Sequence, residues 1–122
     1  MKILGIDYGR SKVGVAIADG PLAEPLQVIR YKDLTILISQ IKKIIEKEKV
    51  KKVVVGISEG EMAEESKKFA NEIGAETSDE TLSTLDAQAL SREAGISQKK
   101  RHEMEDAYAA CIMLQNYLDN SP

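Results

Sequence analysis

The sequence predicts an α/β fold: one five-stranded mixed sheet that opens on an antiparallel hairpin and carries helices on both faces. Three observations predict it. The first 31 residues hold three short runs rich in apolar and β-branched residues, with only tight turns between them. After Asp33 the apolar period changes from near two to three and four. From there, short apolar runs alternate with longer amphipathic stretches, as helix-covered sheets require.

Lys2 to Tyr8 reads as the first strand, Gly9-Arg10-Ser11 as a tight turn and Val13 to Ala18 as its partner. Gly20-Pro21 ends that strand, and Leu26 to Tyr31 is the third. Such a start needs no long crossover. Leu34, Leu37, Ile38, Ile41, Ile44 and Ile45 then form one apolar stripe, with Lys42, Lys43, Glu46 and Lys47 opposite, and Asp33 stands at the N-cap position. Val53-Val54-Val55-Gly56 is a continuous apolar run suited to a buried parallel strand. Glu61 to Ile73 is the second helix, closed by Gly74. Ala75 to Ser78 is a fifth strand with Asp79-Glu80-Thr81 at its end. Ser83 or Thr84 caps a third helix running to Ala94, and Gln98 to His102 is a polar, basic segment. Met104 to Leu118 is the last helix, striped by Met104, Ala107, Cys111, Leu114 and Leu118. The order is β-β-β-α-β-α-β-α-α, and no composition shift marks a second domain within 1–122.

At 122 residues the chain suffices for one sizeable core. Apolar residues make up 43% and charged residues 30%, and no apolar run approaches the roughly 20 residues of a membrane span. The N-terminal apolar stretch is broken by Asp7 and is no signal peptide. A single cysteine, Cys111, excludes an internal disulfide and a cysteine-based zinc site. These features predict a cytoplasmic protein. The net charge of -3 is unlike that of a typical phosphate-binding protein, but the basic residues cluster at Arg10 and Lys12, at Lys42 to Lys52 and at Lys99-Lys100-Arg101. With no tryptophan and one phenylalanine, base stacking is not expected to be the main mode of recognition.

Three acids stand out by position. Asp7 closes a strand expected at the centre of the sheet, where a carboxylate is costly unless paired or metal-bound. Glu80 follows another strand, and Asp106 lies at the start of the last helix beside Ala109, Ala110 and Met113. The alanines allow that helix to approach the sheet closely. Converging carboxylates repel one another and need cations; oxygen-only ligands suit Mg²⁺ or Mn²⁺. Two such ions about 3.5–4 Å apart assist phosphodiester hydrolysis. Spacing alone does not single these acids out among the 20 of the chain. Asp7 also suits a turn, Asp79-Glu80 a solvated loop, and Asp106 a first-turn acid facing a helix dipole.

The stretch Gly5-Ile6-Asp7-Tyr8-Gly9-Arg10-Ser11-Lys12-Val13-Gly14-Val15-Ala16-Ile17-Ala18-Asp19 resembles the opening motif of the YqgF family. Pro25-Leu26, Val53-Val54-Val55-Gly56, Ser78-Asp79-Glu80-Thr81-Leu82-Ser83-Thr84 and Glu105-Asp106-Ala107-Tyr108-Ala109-Ala110 are similar to its later motifs, in the same order. The family comprises Holliday-junction-resolvase-like nucleases, also described as processing precursor 16S ribosomal RNA. The resemblance implies a ribonuclease-H-like fold and a metal site of Asp7, Glu80 and Asp106, holding Mg²⁺ or Mn²⁺. Asp19 matches a further acid of the family, but its place at the far end of the second strand suggests a turn. Arg10, Lys12, Lys99, Lys100 and Arg101 are the expected grips on nucleic acid, RNA ahead of branched DNA. A monomer or weak homodimer is expected. The chain departs from the family in having Lys12 and Thr81 where arginines are usual, and a short acidic loop, Ile57 to Met62, after Gly56. Arginine contacts phosphate bidentately and lysine does not, so these changes bear on substrate grip.

Two rivals are distinguishable. The opening hairpin also resembles that of actin-like ATP-binding proteins, but those enclose the nucleotide between two such domains and this chain has length for one. A nucleic-acid-binding module without catalysis fits Thr81 and the acidic loop; Asp7→Asn would leave its affinity unchanged while abolishing a nuclease.

Overall fold

The computed structural model describes residues 1–57, 61–79 and 98–120. The element order is β1 (Lys2–Asp7), β2 (Lys12–Asp19), β3 (Ala23–Arg30), α1 (Leu34–Glu48), β4 (Val50–Ile57), α2 (Glu61–Ile73), β5 (Glu76–Asp79) and α3 (Gln98–Asn120). The five strands form one sheet in the order β3-β2-β1-β4-β5. β1 and β2, and β2 and β3, pair antiparallel, while β1–β4 and β4–β5 are parallel. The hairpin-led mixed sheet expected from the sequence is therefore present, with β1 at its centre.

Alternation along the strands divides the core in two. Leu4, Ile6, Val13, Val15, Val53 and Val55 face one side and pack with Leu37 and Ile41 of α1 and Phe69 and Ala70 of α2. Ile3, Ala16, Ala18 and Val54 face the other side and meet Ala110, Cys111, Met113 and Leu114 of α3. Each fully buried aliphatic side chain contributes about 1.5–3 kcal/mol. Helices thus cover both faces, α1 and α2 on one and α3 on the other.

Local signals behave as their chemistry dictates. Asp33 caps α1, its carboxylate accepting from the Thr35 amide at 2.8 Å. Lys49 ends α1 in a left-handed conformation, and Gly74, at φ 69°, ends α2. β3 begins at Ala23, three residues before the expected Leu26, and so takes in Pro25. As β3 lies at the sheet edge, the amide that proline lacks costs no ladder bond on the open side. The last helix begins at Gln98 rather than Met104, because the basic segment 98–102 continues the helix as its first turns. The third helix expected from Ser83 or Thr84 to Ala94 lies outside the described residues. Among the described residues no helix is long and apolar enough to cross a membrane.

Candidate active site

Asp7 is the last residue of β1 and is half-buried. It pairs with Gly14 on β2 and with Gly56 on β4, and Gly56 in turn pairs with Ser78 on β5. Directly opposed residues in adjacent strands point to the same face. Odd-numbered residues of β1 therefore share the α3 face: Ile3 packs in the α3 cluster, and a Cβ at Gly5 would lie 2.8 Å from the Leu114 Cβ. Asp7 belongs to that row.

The helix rests on the sheet beside it. A Cβ built on Gly14 would fall 1.8 Å from the Asp106 carbonyl oxygen and 2.8 Å from the Ala107 amide nitrogen. No residue but glycine fits between this strand and this helix backbone. Ala107 and Ala110, both fully buried, complete the close approach. The structure thus brings the Asp106 backbone against the strand residue paired with Asp7.

Lys12, two residues before Gly14 and on the same face, places its Nζ 3.1 Å from Asp106 Oδ2. Both side chains remain about one-third exposed, at 37% and 29%. The lysine expected to grip phosphate is thus already engaged with an acid of the candidate site. Arg10, in the turn after β1, directs its Nε to Glu65 of α2 at 3.3 Å. Glu80 lies outside the described residues; it follows directly in sequence on Asp79, which pairs with Ile57 at the same end of the sheet. Lys99, Lys100 and Arg101 fall in the first turns of α3, and their side chains lie outside the described residues.

Among the described residues no three metal-binding side chains form a cluster. The two acids that are described offer hard oxygen donors, which fit a small divalent cation. Cys111 is not a competing soft ligand. Its thiol bonds the Ala23 carbonyl, and burial, followed by the charge of Glu24, pushes its pKa up to about 11, so it stays protonated.

Asp19 lies at the far end of β2, with the N-terminal amine 3.9 Å from its carboxylate, consistent with a structural place. A second polar cluster, with no motif to announce it, joins α3 to the β5 edge. The Tyr117 hydroxyl donates to Glu76 at 2.8 Å, Lys52 Nζ lies 3.3 Å from the other Glu76 oxygen, and the ammonium stands 5.3 Å from the Tyr117 ring centre. Tyr8, Tyr31 and Phe69 also gather on the reverse face of the sheet.

Comparison with known proteins agrees with this architecture. A family model described as "RuvX: Holliday junction resolvase" matches residues 1–120. A protein of Carboxydothermus hydrogenoformans, named "Putative pre-16S rRNA nuclease", is 38% identical over 133 aligned residues, covering 98% of this chain and 96% of that one. A protein of the same name from an Anaeromyxobacter species is 35% identical, with 98% and 97% covered. The fowlpox virus resolvase, solved with Holliday junction DNA, superposes with a TM-score of 0.65 at 12% identity, covering 98% of this chain and 97% of that one. Thermus thermophilus RuvC, also solved with a Holliday junction substrate, gives 0.59 at 16% identity, with 97% and 93% covered. The fold is that of the RuvC-like resolvases, ribonuclease-H-like, as the opening motif implied.

Proposed function

The chain belongs to the RuvX family of Holliday junction resolvase-like nucleases, and from that membership we propose that it hydrolyses phosphodiester bonds in precursor 16S ribosomal RNA, using Asp7, Glu80 and Asp106. Its partner is nucleic acid. Nucleases of this family and fold use divalent metal ions; Mg²⁺ or Mn²⁺ is the ion proposed for these oxygen donors. The RNA assignment rests on the names of relatives about 35% identical over nearly the whole chain.

One observation carries the choice of residues: the Asp106 backbone seated on Gly14, the register partner of Asp7. In this reading Asp7 and Asp106 hold the ion from two rigid elements, a central strand and a packed helix, and Glu80 completes the set. The bound ion would supply charge to offset the developing negative charge at phosphorus and would lower the pKa of an attacking water. Lys12 holds Asp106 in place and adds a positive charge beside the scissile phosphate. Lys99, Lys100 and Arg101, on the first turns of the same helix, steady the backbone of the strand being cut.

A second reading is favoured by the family's own description: cleavage of four-way DNA junctions. Junction resolution needs two symmetric cuts, hence a dimer. End-labelled single-stranded RNA, structured precursor RNA and four-way DNA junctions are incubated with Mg²⁺, Mn²⁺ or chelator, with wild type beside Asp7→Asn. RNA cleavage that needs metal and falls to the chelator level in the variant is the expected result. Junction cleavage without RNA cleavage moves the substrate to branched DNA. Cleavage retained in full by Asp7→Asn removes Asp7 from the site.

A further inference from the structure

On the face of the sheet opposite Asp7, a cleft of about 600 Å³ opens between α1 and α2 at the C-terminal end of β1. Three of the chain's five aromatic side chains line it: Tyr8, Tyr31 and Phe69. Tyr8 stacks on Phe69 with ring centres 4.7 Å apart and 23° between planes, and Tyr31 stands 6.5 Å from Tyr8. Phe69 is buried, whereas both tyrosines stay partly exposed at the cleft wall. The wall is fixed rather than loose. The Tyr31 hydroxyl donates to the Gly9 carbonyl, and the Tyr31 amide donates to the Ser11 carbonyl at 3.1 Å, tying the end of β3 to the β1–β2 turn. Burial, then the hydrogen bond with Tyr8, raises the Tyr31 pKa, so the phenol stays protonated.

The rim is charged. Arg10 and Glu65 neutralise each other, which leaves Lys32 and Lys68, both exposed, against the single acid Glu72. An aromatic wall with hydroxyl groups and a net positive rim matches a base joined to a phosphate. Position supports the same match. Asp7 and Tyr8 are consecutive in the chain, and alternation sends their side chains to opposite faces of the sheet. A strand that crosses the end of β1 can lay one phosphate at Asp7 and turn the neighbouring base onto the reverse side. Ligands of open α/β sheets bind outside the carboxyl ends of the strands, where this cleft lies.

We propose that the cleft formed by Tyr8, Tyr31, Lys32 and Lys68 holds one unstacked nucleotide of the RNA substrate, next to the scissile phosphate. The proposal rests on the nuclease reading above and adds to it a subsite that fixes where along the strand the cut falls.

The test is an abasic scan. A fluorescently labelled single-stranded RNA, and copies each carrying one abasic position, are titrated with the full chain in chelator, and affinity is read by anisotropy. One abasic position is expected to weaken wild-type binding about tenfold, as loss of one base–aromatic contact does. Tyr8→Leu should abolish that penalty and Tyr8→Phe should retain it. Should Tyr8→Leu fail to fold, Lys32→Ala with Lys68→Ala, both away from the core, gives the second readout: affinity falls more for the intact strand than for the abasic one. RNA that binds with no position-dependent penalty, or with a penalty unchanged in every variant, overturns the cleft and leaves the nuclease reading standing. A chain that binds no RNA at any position overturns the RNA assignment and the cleft with it.

Discussion

Gly14→Ala is the sharpest perturbation of the candidate site that changes none of its functional groups. The added Cβ would sit 1.8 Å from the Asp106 carbonyl oxygen, against the 3.4 Å of ordinary contact, so α3 must retreat by about 1.6 Å. The obstacle is helix backbone, which cannot rotate aside as a side chain can. Overpacking of this kind costs about 1–3 kcal/mol, and a backbone obstacle places it at or above the upper end. For a chain of 122 residues that is a fall in Tm of about 10 °C. The retreat carries Asp106 away from Asp7, and a misplacement near 1 Å costs on the order of 100-fold in rate. Gly5→Ala is the comparison. Its Cβ would meet the Leu114 Cβ at 2.8 Å, two turns further along α3, so a shift of about 0.6 Å suffices. Thermal melts and single-turnover cleavage, run well below both melting temperatures, separate the two effects. Gly14→Ala should lose both stability and rate, and Gly5→Ala mainly stability. A Gly14→Ala protein with wild-type Tm and rate would refute the seating of α3 on β2. One that is destabilised yet fully active would show that the position of Asp106 does not matter to the chemistry.

Two further outcomes are expected. Lys12→Met removes a positive charge from Asp106 and should tighten Mn²⁺ binding about twentyfold, since a unit charge roughly 5 Å from a dication costs about 1.7 kcal/mol even in a water-like dielectric; calorimetric titration or the metal dependence of Tm reads it, and unchanged or weaker binding would sink the idea that lysine and metal compete. The Tyr117 hydroxyl, then Lys52, hold the Glu76 pKa below its ordinary value, while Tyr117, then Glu76, raise that of Lys52. The Glu76 contribution is therefore complete above its unfolded-state pKa and lost as pH falls through the lowered one; the Lys52 contribution is complete below its unfolded-state pKa and lost as pH rises through the raised one. Glu76→Gln should flatten the acid limb of a Tm–pH profile below about pH 4.5, and an unchanged limb would exclude this cluster as its source.

Much of the fold was legible because it depends on local patterning. The change of period after Asp33, the valine run at Val53 and Gly74 beyond α2 each act within a few residues, and α2 spans Glu61–Ile73 as read. Pro25 misled the reading of β3 because its tolerance depends on the strand being at an edge, which only the assembled sheet decides. The basic run 98–102 was set apart from the last helix because it has no apolar stripe; it forms the first turns of α3. Of the site, Asp7 and Asp106 were legible as acids at element ends, and Ala109 and Ala110 allowed for a close helix, but the contact that seats the helix on the sheet was not. That contact depends on Gly14, the register partner of Asp7, meeting the Asp106 backbone, which has no signature in single-residue chemistry. The aromatic cleft was invisible for the same reason: Tyr8, Tyr31 and Phe69 come from three distant segments, and a low aromatic content argued against stacking until they were found together.

The opening motif can now be read as a set of clearances. In Gly5-Ile6-Asp7-Tyr8-Gly9-Arg10-Ser11-Lys12-Val13-Gly14 the three glycines answer to different neighbours. Gly9 leaves room for the Lys12 carbonyl, 2.6 Å from where its Cβ would be, and so lets β1 turn back within four residues. Gly5 and Gly14 leave room for α3, one for a side chain and one for backbone. Between them stand the residues with chemistry: Asp7 and Lys12 toward α3, Tyr8 toward the reverse face, Arg10 in the turn. A β-strand offers its side chains to two faces alternately, and this one ends where both faces are open at the edge of their helices. The clearances bring an acid-bearing helix down on one side, and the turn they permit brings Tyr31 against Gly9 on the other. A tight turn, a close helix and one wall of the aromatic cleft thus follow from one ten-residue stretch. Gly14→Ala should therefore lower the rate of cleavage, whereas Tyr8→Leu should weaken strand binding and leave the face that carries Asp7 and Asp106 intact.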